Sequence, residues 1–73
     1  MRISIVFRQS SDYQIHANRL AKQIKKEKGI EPELVIGSGD VFDIRLDGDL
    51  IYSKAHTGKL PEITDLIGYM GTT

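Results

Sequence analysis

A short polar stretch near the start of the chain holds the side chains best suited to chemistry. Arg8, Ser10, Ser11 and Asp12 precede a helical pattern, so they fall at a predicted helix N-terminus. Unpaired N–H groups and the dipole at such an end can hold an anion, and an arginine adds a charged fork for carboxylate or phosphate. Alternatively Ser10, Ser11 or Asp12 caps the helix, with Arg8 in solvent or paired with Asp12. We favour the cap, because the Asp12 carboxylate would repel an anion.

Nucleophilic and metal chemistry find little support in the remaining residues. The chain has no cysteine, which excludes a thiolate nucleophile, a disulfide and a cysteine zinc site. His16 and His56 are far apart, and no carboxylates complete a metal-ligand spacing. His16 could serve as a base for Ser11 at i, i+5, but no third group is visible to orient the histidine. We therefore predict no catalytic residue, no metal and no cofactor.

A second candidate site is the stretch Gly37-Ser38-Gly39, whose backbone amides could cradle a ligand. It lacks the lysine and the spacing of a phosphate-binding loop and does not open a helix, so it matches neither nucleotide motif. We interpret it as a tight turn. The basic stretch Arg19–Lys28 is likewise interpreted as a solvated helix face, because no aromatic residues are interleaved with its charges as at a nucleic-acid surface.

Hydrophobic periodicity predicts the elements that position these residues. Alternation over Arg2–Arg8 predicts a strand, and an apolar face recurring from Tyr13 to Lys28 predicts a helix that ends at Gly29. Three more strands are predicted over 33–36, 41–46 and 50–54. The last two are joined by Asp47-Gly48, a dipeptide typical of two-residue hairpin turns.

The end of the chain carries a second helical pattern. A loop is predicted over 55–60, and Pro61 is predicted to be the first residue of the helix. Its apolar face would hold Ile63, Leu66, Ile67 and Met70, and Gly71 would end it.

The order of elements predicts a single domain over residues 1–73. The first two strands are joined by a helix and should be parallel, with a right-handed crossover. Because each strand has one apolar face, both helices should cover the same face of a four-stranded mixed sheet. The fold class is thus a two-layer α/β domain, β-α-β-β-β-α.

Composition bounds the partners and the location. The chain has ten basic and ten acidic residues, which argues against non-specific binding of nucleic acid or membrane. Its longest apolar run is far short of the roughly 20 residues that span a bilayer, and we find no targeting segment. A secreted domain of this size usually carries disulfides, so we predict a cytoplasmic protein.

The stretch from Gly37 to Lys54 resembles a known family. It contains Gly-Ser-Gly, Phe-Asp-Ile, Leu-Asp-Gly and Leu-Ile-Tyr-Ser-Lys. Members of the Rdx family of selenoprotein W-like proteins, which includes selenoproteins T and H, typically run Gly-x-Gly, Phe-Glu-Val, Val-Asp-Gly and Leu-x-x-Ser-Lys/Arg. Tyr13 and the proline before the final helix also match, so the resemblance covers nearly the whole chain. It implies a thioredoxin-like fold with spatial strand order 2-1-3-4.

The chain departs from this family where the family's chemistry lies. Members carry Cys-x-x-Cys, or Cys-x-x-selenocysteine, between the first strand and the first helix. Aligning Tyr13 with the family's tyrosine places Arg8 at the first of these positions and Ser11 at the second. Neither forms a disulfide or a selenenylsulfide, so the redox role does not carry over. Because arginine is an odd engineered replacement for cysteine, we interpret the change as a natural loss.

A retained scaffold without its redox pair suggests a redox-inactive protein-interaction module. We define its docking edge as Arg8–Ile15 together with Gly37–Asp40, and Ile15 is predicted to be exposed because it lies opposite the buried helix face. The partner is expected to be a protein rather than nucleic acid or a membrane. Two alternatives stay open: an indirect redox role through a thiol-redox partner, and small-anion binding at the first-helix N-terminus.

A second contact surface is predicted on the uncovered face of the sheet. Val6 lies there with Arg2, Asp43 and Arg45, and self-association of the chain through this face is the prediction. A ladder of solvated charges across the strands is the alternative.

Overall fold

A computed structural model of the chain describes residues 2–68, apart from the side chain of Ile67. The strands are β1 (Ile3–Arg8), β2 (Glu33–Gly37), β3 (Phe42–Leu46) and β4 (Asp49–Ser53). The helices are α1 (Ser11–Lys28), α2 (Lys54–Thr57) and α3 (Ile63–Ile67). The predicted positions Met70 and Gly71 lie outside the described residues.

The four strands form one mixed sheet in the order β2-β1-β3-β4. β1 is parallel to β2 and antiparallel to β3, and β3 is antiparallel to β4. This confirms the predicted fold class and strand order. Since β1, β2 and β4 run in the same direction, their carboxyl ends lie at one edge of the sheet. That edge positions the candidate site.

α1 is an amphipathic helix with clear signals at both ends. Its buried residues are Ala17, Leu20 and Ile24, which recur with helical spacing. It ends at Gly29, whose φ of 69° is left-handed and whose N–H donates to the Lys25 carbonyl at 2.8 Å. The lysines of its last turn, Lys25, Lys26 and Lys28, lie at the negative end of the helix dipole.

The core lies between one face of the sheet and the helices. The buried apolar cluster contains Ile3, Ile5, Phe7, Ala17, Leu20, Ile24, Phe42, Ile44, Tyr52 and Leu66. Leu66 belongs to α3 and the alternating residues of β1 and β3 point the same way, so α1 and α3 cover the same face, as predicted. On the opposite face Val6 and Asp43 are half-buried, and Arg2 and Arg45 are exposed.

The β3–β4 connection is the predicted two-residue hairpin. Asp47 and Gly48 have φ values of 52° and 89°, the positive values that a type I′ turn needs at both central positions. The turn is also tied to the start of β1, because the Arg2 N–H donates to Asp47 Oδ1 at 2.8 Å and the Asp47 N–H donates to the Arg2 carbonyl at 2.7 Å.

The segment after β4 differs from the prediction. The expected loop over 55–60 starts with the one-turn helix α2, which ends at Gly58 with a φ of 80°. A four-residue helix is too short to show a hydrophobic period. Within it, the Thr57 hydroxyl donates to the Ser53 carbonyl at 3.2 Å.

The start of the last helix was predicted two residues too early. α3 begins at Ile63, Glu62 is its N-cap residue, and Asp65 Oδ2 accepts the Glu62 N–H at 3.0 Å. Pro61 therefore precedes the helix and is buried. Its carbonyl contacts the His16 ring nitrogen, which ties this segment to α1. No helix within residues 2–68 has the length and apolar character to cross a bilayer.

Candidate functional site

The first loop joins β1 to α1 with only Gln9 and Ser10 between them. Ser10 is the N-cap residue, with extended backbone angles, and its hydroxyl accepts the Tyr13 N–H at 3.4 Å. Of the three candidate caps, the structure therefore selects Ser10. Asp12 lies in the first turn, where its charge suits the positive end of the helix dipole. Ser11 is the first helical residue and its side chain is exposed.

The Gly37-Ser38-Gly39 turn lies beside this loop. Arg8 is the register partner of Gly37, and the Arg8 N–H donates to the Val41 carbonyl at 2.8 Å. A Cβ on Gly37 would lie 2.7 Å from a methyl of Val41 and 2.9 Å from a methyl of Val6, so glycine is required there by space. Gly39 has a φ of 74°, which lets the turn reverse and present Asp40.

Asp40 is the centre of a polar cluster at this edge of the sheet. The Tyr13 hydroxyl donates to Asp40 Oδ1 at 2.6 Å, and Lys54 Nζ donates to Oδ2 at 3.2 Å. An Arg8 guanidinium nitrogen lies 3.9 Å from Oδ1, so Arg8 forms its ion pair with Asp40, whereas the prediction was that it is in solvent or paired with Asp12. We call Arg8, Tyr13, Asp40 and Lys54 the Asp40 cluster. Its two cations surround one carboxylate, which leaves a net positive charge.

The hydrogen bonds of the cluster shift the protonation of its charged members. The bond from Tyr13, followed by the bond from Lys54, lowers the pKa of Asp40 below its ordinary value, and desolvation opposes this shift. Tyr13 first and Asp40 second raise the pKa of Lys54 above its ordinary value. Both effects favour the charged forms, so the Asp40–Lys54 pair is ionised at neutral pH.

Tyr13 connects the Asp40 cluster to the core. Its ring meets Phe42 edge to face, with the centroids 5.6 Å apart, and Lys54 Nζ lies 6.0 Å from the Tyr13 ring centroid. Phe42 also contacts His16 at 5.5 Å and Phe7 at 6.1 Å between centroids. The hydroxyl of Tyr13 thus reaches the surface from a ring that is fixed by core aromatic side chains.

The possible pairing of His16 with Ser11 is not formed. The ring of His16 packs on Phe42 and its Nε2 contacts the Pro61 carbonyl, whereas Ser11 lies at an open depression with Gln9, Ser10 and Gln14. Within residues 2–68, no three His, Cys, Asp or Glu side chains are arranged to hold a metal ion.

The docking edge presents an apolar contact beside its polar groups. Ile15 is 60% exposed, as predicted from its position opposite the buried face of α1. The Arg8 side chain is 57% exposed. Arg8, Ser10, Ser11, Asp12, Tyr13 and the Gly37–Gly39 turn therefore come together at one edge of the sheet. The binding role of these residues stays a prediction.

Sequence reasoning included Asp40 in the docking edge but missed it as the centre of the cluster, and it missed Lys54 altogether. A usable signal existed in the predicted topology. Arg8, Gly37 and Ser53 are the last residues of β1, β2 and β4, whose carboxyl ends share one edge. Polar residues that directly follow those ends, including Asp40 and Lys54, are brought together by the strand directions alone.

A separate cavity of about 430 Å³ lies between β4, α2 and α3. His56, Thr57 and Asp65 are among its lining residues. Thr57 donates its hydroxyl hydrogen within the local hydrogen bonds of α2, and Asp65 caps α3. The polar atoms of Thr57 and Asp65 are therefore used by the fold itself.

The fold and the edge described above define a thioredoxin-like α/β domain whose first loop carries no thiol. The model of the Rdx family matches residues 2–70, so the chain belongs to the Rdx family. Arg8 and Ser11 occupy the ends of the first loop, and with no cysteine among the 73 residues the chain is a member in which the redox motif is lost.

Solved structures share this fold. A protein of Bordetella parapertussis is 26% identical with a TM-score of 0.85, and the match covers 94% of this chain and 91% of that one. A selenoprotein W-related protein of Vibrio cholerae is 22% identical with a TM-score of 0.74, over 89% of this chain and 85% of that one. No curated protein matches the chain.

Proposed function

We propose that this domain is a redox-inactive member of the Rdx family that binds a protein partner through its docking edge. One observation carries the proposal: the exposed Ile15 lies near the start of α1, one helical turn after Ser11, and the exposed Arg8 ends β1 on the other side of the first loop, where the family keeps a cysteine. Apolar surface next to unpaired or weakly paired charge is typical of a protein-binding patch rather than of a catalytic pocket.

The charge of the edge indicates the kind of partner. Arg8 and Lys54 outnumber Asp40, and the 3.9 Å separation of Arg8 from Asp40 leaves the guanidinium free to turn toward a second carboxylate. We therefore propose a partner that presents an acidic side chain beside an apolar one. A cytoplasmic location accompanies this proposal, supported by the lack of cysteine in so small a domain.

Partner capture with matched variants tests the proposal. Arg8→Ala and Ile15→Asp should each reduce capture of a partner at least tenfold. Arg45→Ala and Leu50→Asp change an exposed arginine and an exposed leucine away from the edge, and they should leave capture unchanged. A partner retained by both edge variants would place the interface elsewhere on the domain.

The indirect redox role is a second candidate, supported by the family fold that the chain keeps. A partner that carries its own cysteines would then dock at the first loop, where other family members carry their redox pair. Insulin-reduction and peroxide assays separate the two proposals. We expect no turnover by the pure protein. If the second proposal is correct, Ile15→Asp should lower the rate at which a mixture of this protein and a thiol-redox partner reduces insulin or peroxide.

Small-anion binding is the weakest of the three functions. The Asp40 carboxylate already neutralises part of the charge of Arg8 and Lys54, and Asp12 adds a second negative charge in the first turn. Titration with phosphate should leave the backbone amide resonances of residues 10–14 unmoved. Saturable shifts confined to those amides would instead support an anion site.

A further inference from the structure

β2 is an outer strand of the sheet and exposes apolar side chains on both of its faces. Leu34, Val35 and Ile36 are 40%, 38% and 51% exposed. Leu34 and Ile36 are register partners of the buried Ile5 and Phe7, so they lie on the helix side of the sheet and yet are not covered by α1. One apolar, helix-covered face was predicted for each strand, and β2 departs from that prediction.

The two outer strands of the sheet, β2 and β4, differ in how well they are protected from pairing with another strand. β4 has a register shift opposite Ile44 and Arg45 and is followed directly by α2, which packs against it. β2 has an unbroken register with β1, no lysine, and a proline before it rather than within it. Bulges, lysines, prolines and covering elements are the devices that prevent edge-to-edge pairing of strands. β2 shows none of them within Glu33–Gly37.

We propose that β2 pairs with β2 of a second copy of this chain, antiparallel and around a two-fold axis at Val35, so that two four-stranded sheets form one continuous sheet. Residues that are opposite each other in an antiparallel pair have their side chains on the same face of the sheet. The two-fold axis must therefore lie between one residue and its own copy, and not midway between two consecutive residues of the strand. Val35 is the central residue of the strand, and centring on it engages all of Glu33–Gly37.

The side chains of β2 are complementary to themselves in this register. Leu34 lies opposite Ile36 on the helix side, and this pair occurs twice. Val35 lies opposite its own copy on the open side. Glu33, the only charged residue of the strand, lies opposite Gly37 and meets no like charge. An unrelated extended peptide would have no reason to satisfy all these pairings at once.

Charge complementarity links Glu33 to Arg8 of the second copy. In the register of β1 with β2, Ser4 pairs with Glu33 and Arg8 pairs with Gly37, all on the open face. In the proposed pair, the Glu33 backbone of one copy and the Arg8 backbone of the other are two strand spacings apart, about 10 Å. Gly37 lies between them, and methyl groups of Val41 and Val6 pack against it, so the two charged side chains would meet above these methyl groups. Arginine and glutamate side chains together span that distance.

Both charges are held only by long, exposed ion pairs. Glu33 is 3.9 Å from Arg2, and Arg8 is 3.9 Å from Asp40, with all four side chains at least half exposed. Exposed ion pairs of this length contribute little, so redirecting them costs little. The two-fold axis produces the Glu33–Arg8 contact twice.

The helix side of the pair contributes the apolar side chains of β2. The groove beside α1 in which Leu34 lies is of mixed character, because its other lining residues are Asn18, Ala21, Lys22, Lys25, Glu31 and Pro32. Pairing would place Leu34 and Ile36 of both copies between two antiparallel α1 helices and remove the apolar surface of these two side chains from water. A five-residue strand forms a small interface, so the dimer is expected to be weak and dependent on concentration. This surface is distinct from the uncovered sheet face, where self-association stays a prediction.

Sedimentation velocity over a concentration series tests the pairing. The unaltered protein should shift from monomer to dimer as its concentration rises. Val35→Lys places two like charges opposite each other at the axis and should weaken the dimer at least tenfold. Leu50→Lys makes the same change at an exposed leucine of β4 and should leave the dimer intact. Ile36→Lys provides a second edge variant, and circular dichroism checks that each variant is folded.

A charge exchange tests the register. Glu33→Arg and Arg8→Glu should each weaken the dimer, and the double variant should restore it because the two charges are exchanged. Hydrogen exchange of the amides of residues 33–37 should slow as concentration rises. Three outcomes would each overturn the proposal. The protein could stay monomeric up to about millimolar concentration, or Val35→Lys could leave the dimer unaffected. The amides of β2 could also become protected from hydrogen exchange only when a different protein is added.

Discussion

The apolar layer beneath α1 and the Asp40 cluster at the end of the same sheet are stabilised in different ways. The apolar layer consists of side chains that are almost fully buried, and its energy comes from area removed from water. The Asp40 cluster joins the exposed charges of Arg8 and Asp40 to the half-buried Tyr13 and Lys54, and solvent and salt weaken its ion pairs. The difference explains how the redox positions could change to arginine and serine while the fold stayed intact. Arg8 belongs to the Asp40 cluster and Ser11 is the exposed first residue of α1, so neither position lies in the buried layer.

Removing Phe42 from the core should give the largest effect. Its ring is fully buried and contacts Phe7, Tyr13 and His16. Phe42→Ala should lower the free energy of unfolding by about 3–5 kcal/mol, measured by denaturant unfolding. Leu50→Ala, at an exposed position, should change it by no more than about 0.5 kcal/mol. Similar losses in the two variants would remove the distinction between core and surface.

Gly37→Ala should have the next largest effect, because the new methyl group would collide with Val6 and Val41. We expect a loss of about 1–3 kcal/mol, as for other overpacked sites. Adding Val41→Ala should recover part of it, and a double-mutant cycle measures that coupling. Ser38→Ala, one residue further along the turn and exposed, is the control. Additive effects of Gly37→Ala and Val41→Ala would show that the collision is relieved in another way.

The two serines of the first loop should differ in a smaller way. Ser10→Ala removes the N-cap hydrogen bond to the Tyr13 N–H, and because that bond is 3.4 Å long we expect about 0.5–1 kcal/mol. Ser11→Ala changes the first helical residue, which is exposed, and should have almost no effect on thermal unfolding. The reverse order would assign the cap to Ser11.

Asp40→Asn should give the smallest effect and one that depends on pH. Since the pKa of Asp40 is lowered in the folded state, its contribution is present above the unfolded pKa of about 3.9 and is lost as pH falls through the folded value. The difference in unfolding free energy between the unaltered protein and the variant should therefore shrink on acidification below about pH 4 and should also shrink in high salt. A difference that is constant with pH would mean that the charge of Asp40 is not what stabilises the cluster.

The parts of the fold that follow from local patterns could be predicted from the sequence. Four features depend only on residues that are close together in the sequence. They are the alternation in β1, the apolar face of α1, the end of α1 at Gly29 and the Asp47-Gly48 turn. α2 was missed because one turn has no period. The start of α3 was placed two residues too early, at Pro61. The conformation of Pro61 depends on its burial and on the contact of its carbonyl with His16, 45 residues away.

The candidate site was only partly predictable for the same reason. The Ser10 cap and the exposure of Ile15 are local properties of α1. The Asp40 cluster joins Asp40 to Tyr13 across 27 residues and to Lys54 across 14, and no local pattern encodes such contacts. The exposure of both faces of β2 depends on how far α1 extends across the sheet, which its own sequence does not state.

The central position of β1 has a consequence for how the chain acquires its structure. β1 is the first strand made, but β3 must pair with one side of it and β2 with the other. The contact of Arg2 with Asp47 closes a loop of 45 residues. Such long-range closures slow folding relative to helical proteins of similar size. During synthesis, the β1-α1-β2 unit exposes one side of β1 until the residues of β3 follow, so the growing chain leaves unpaired a strand side that is paired in the finished domain.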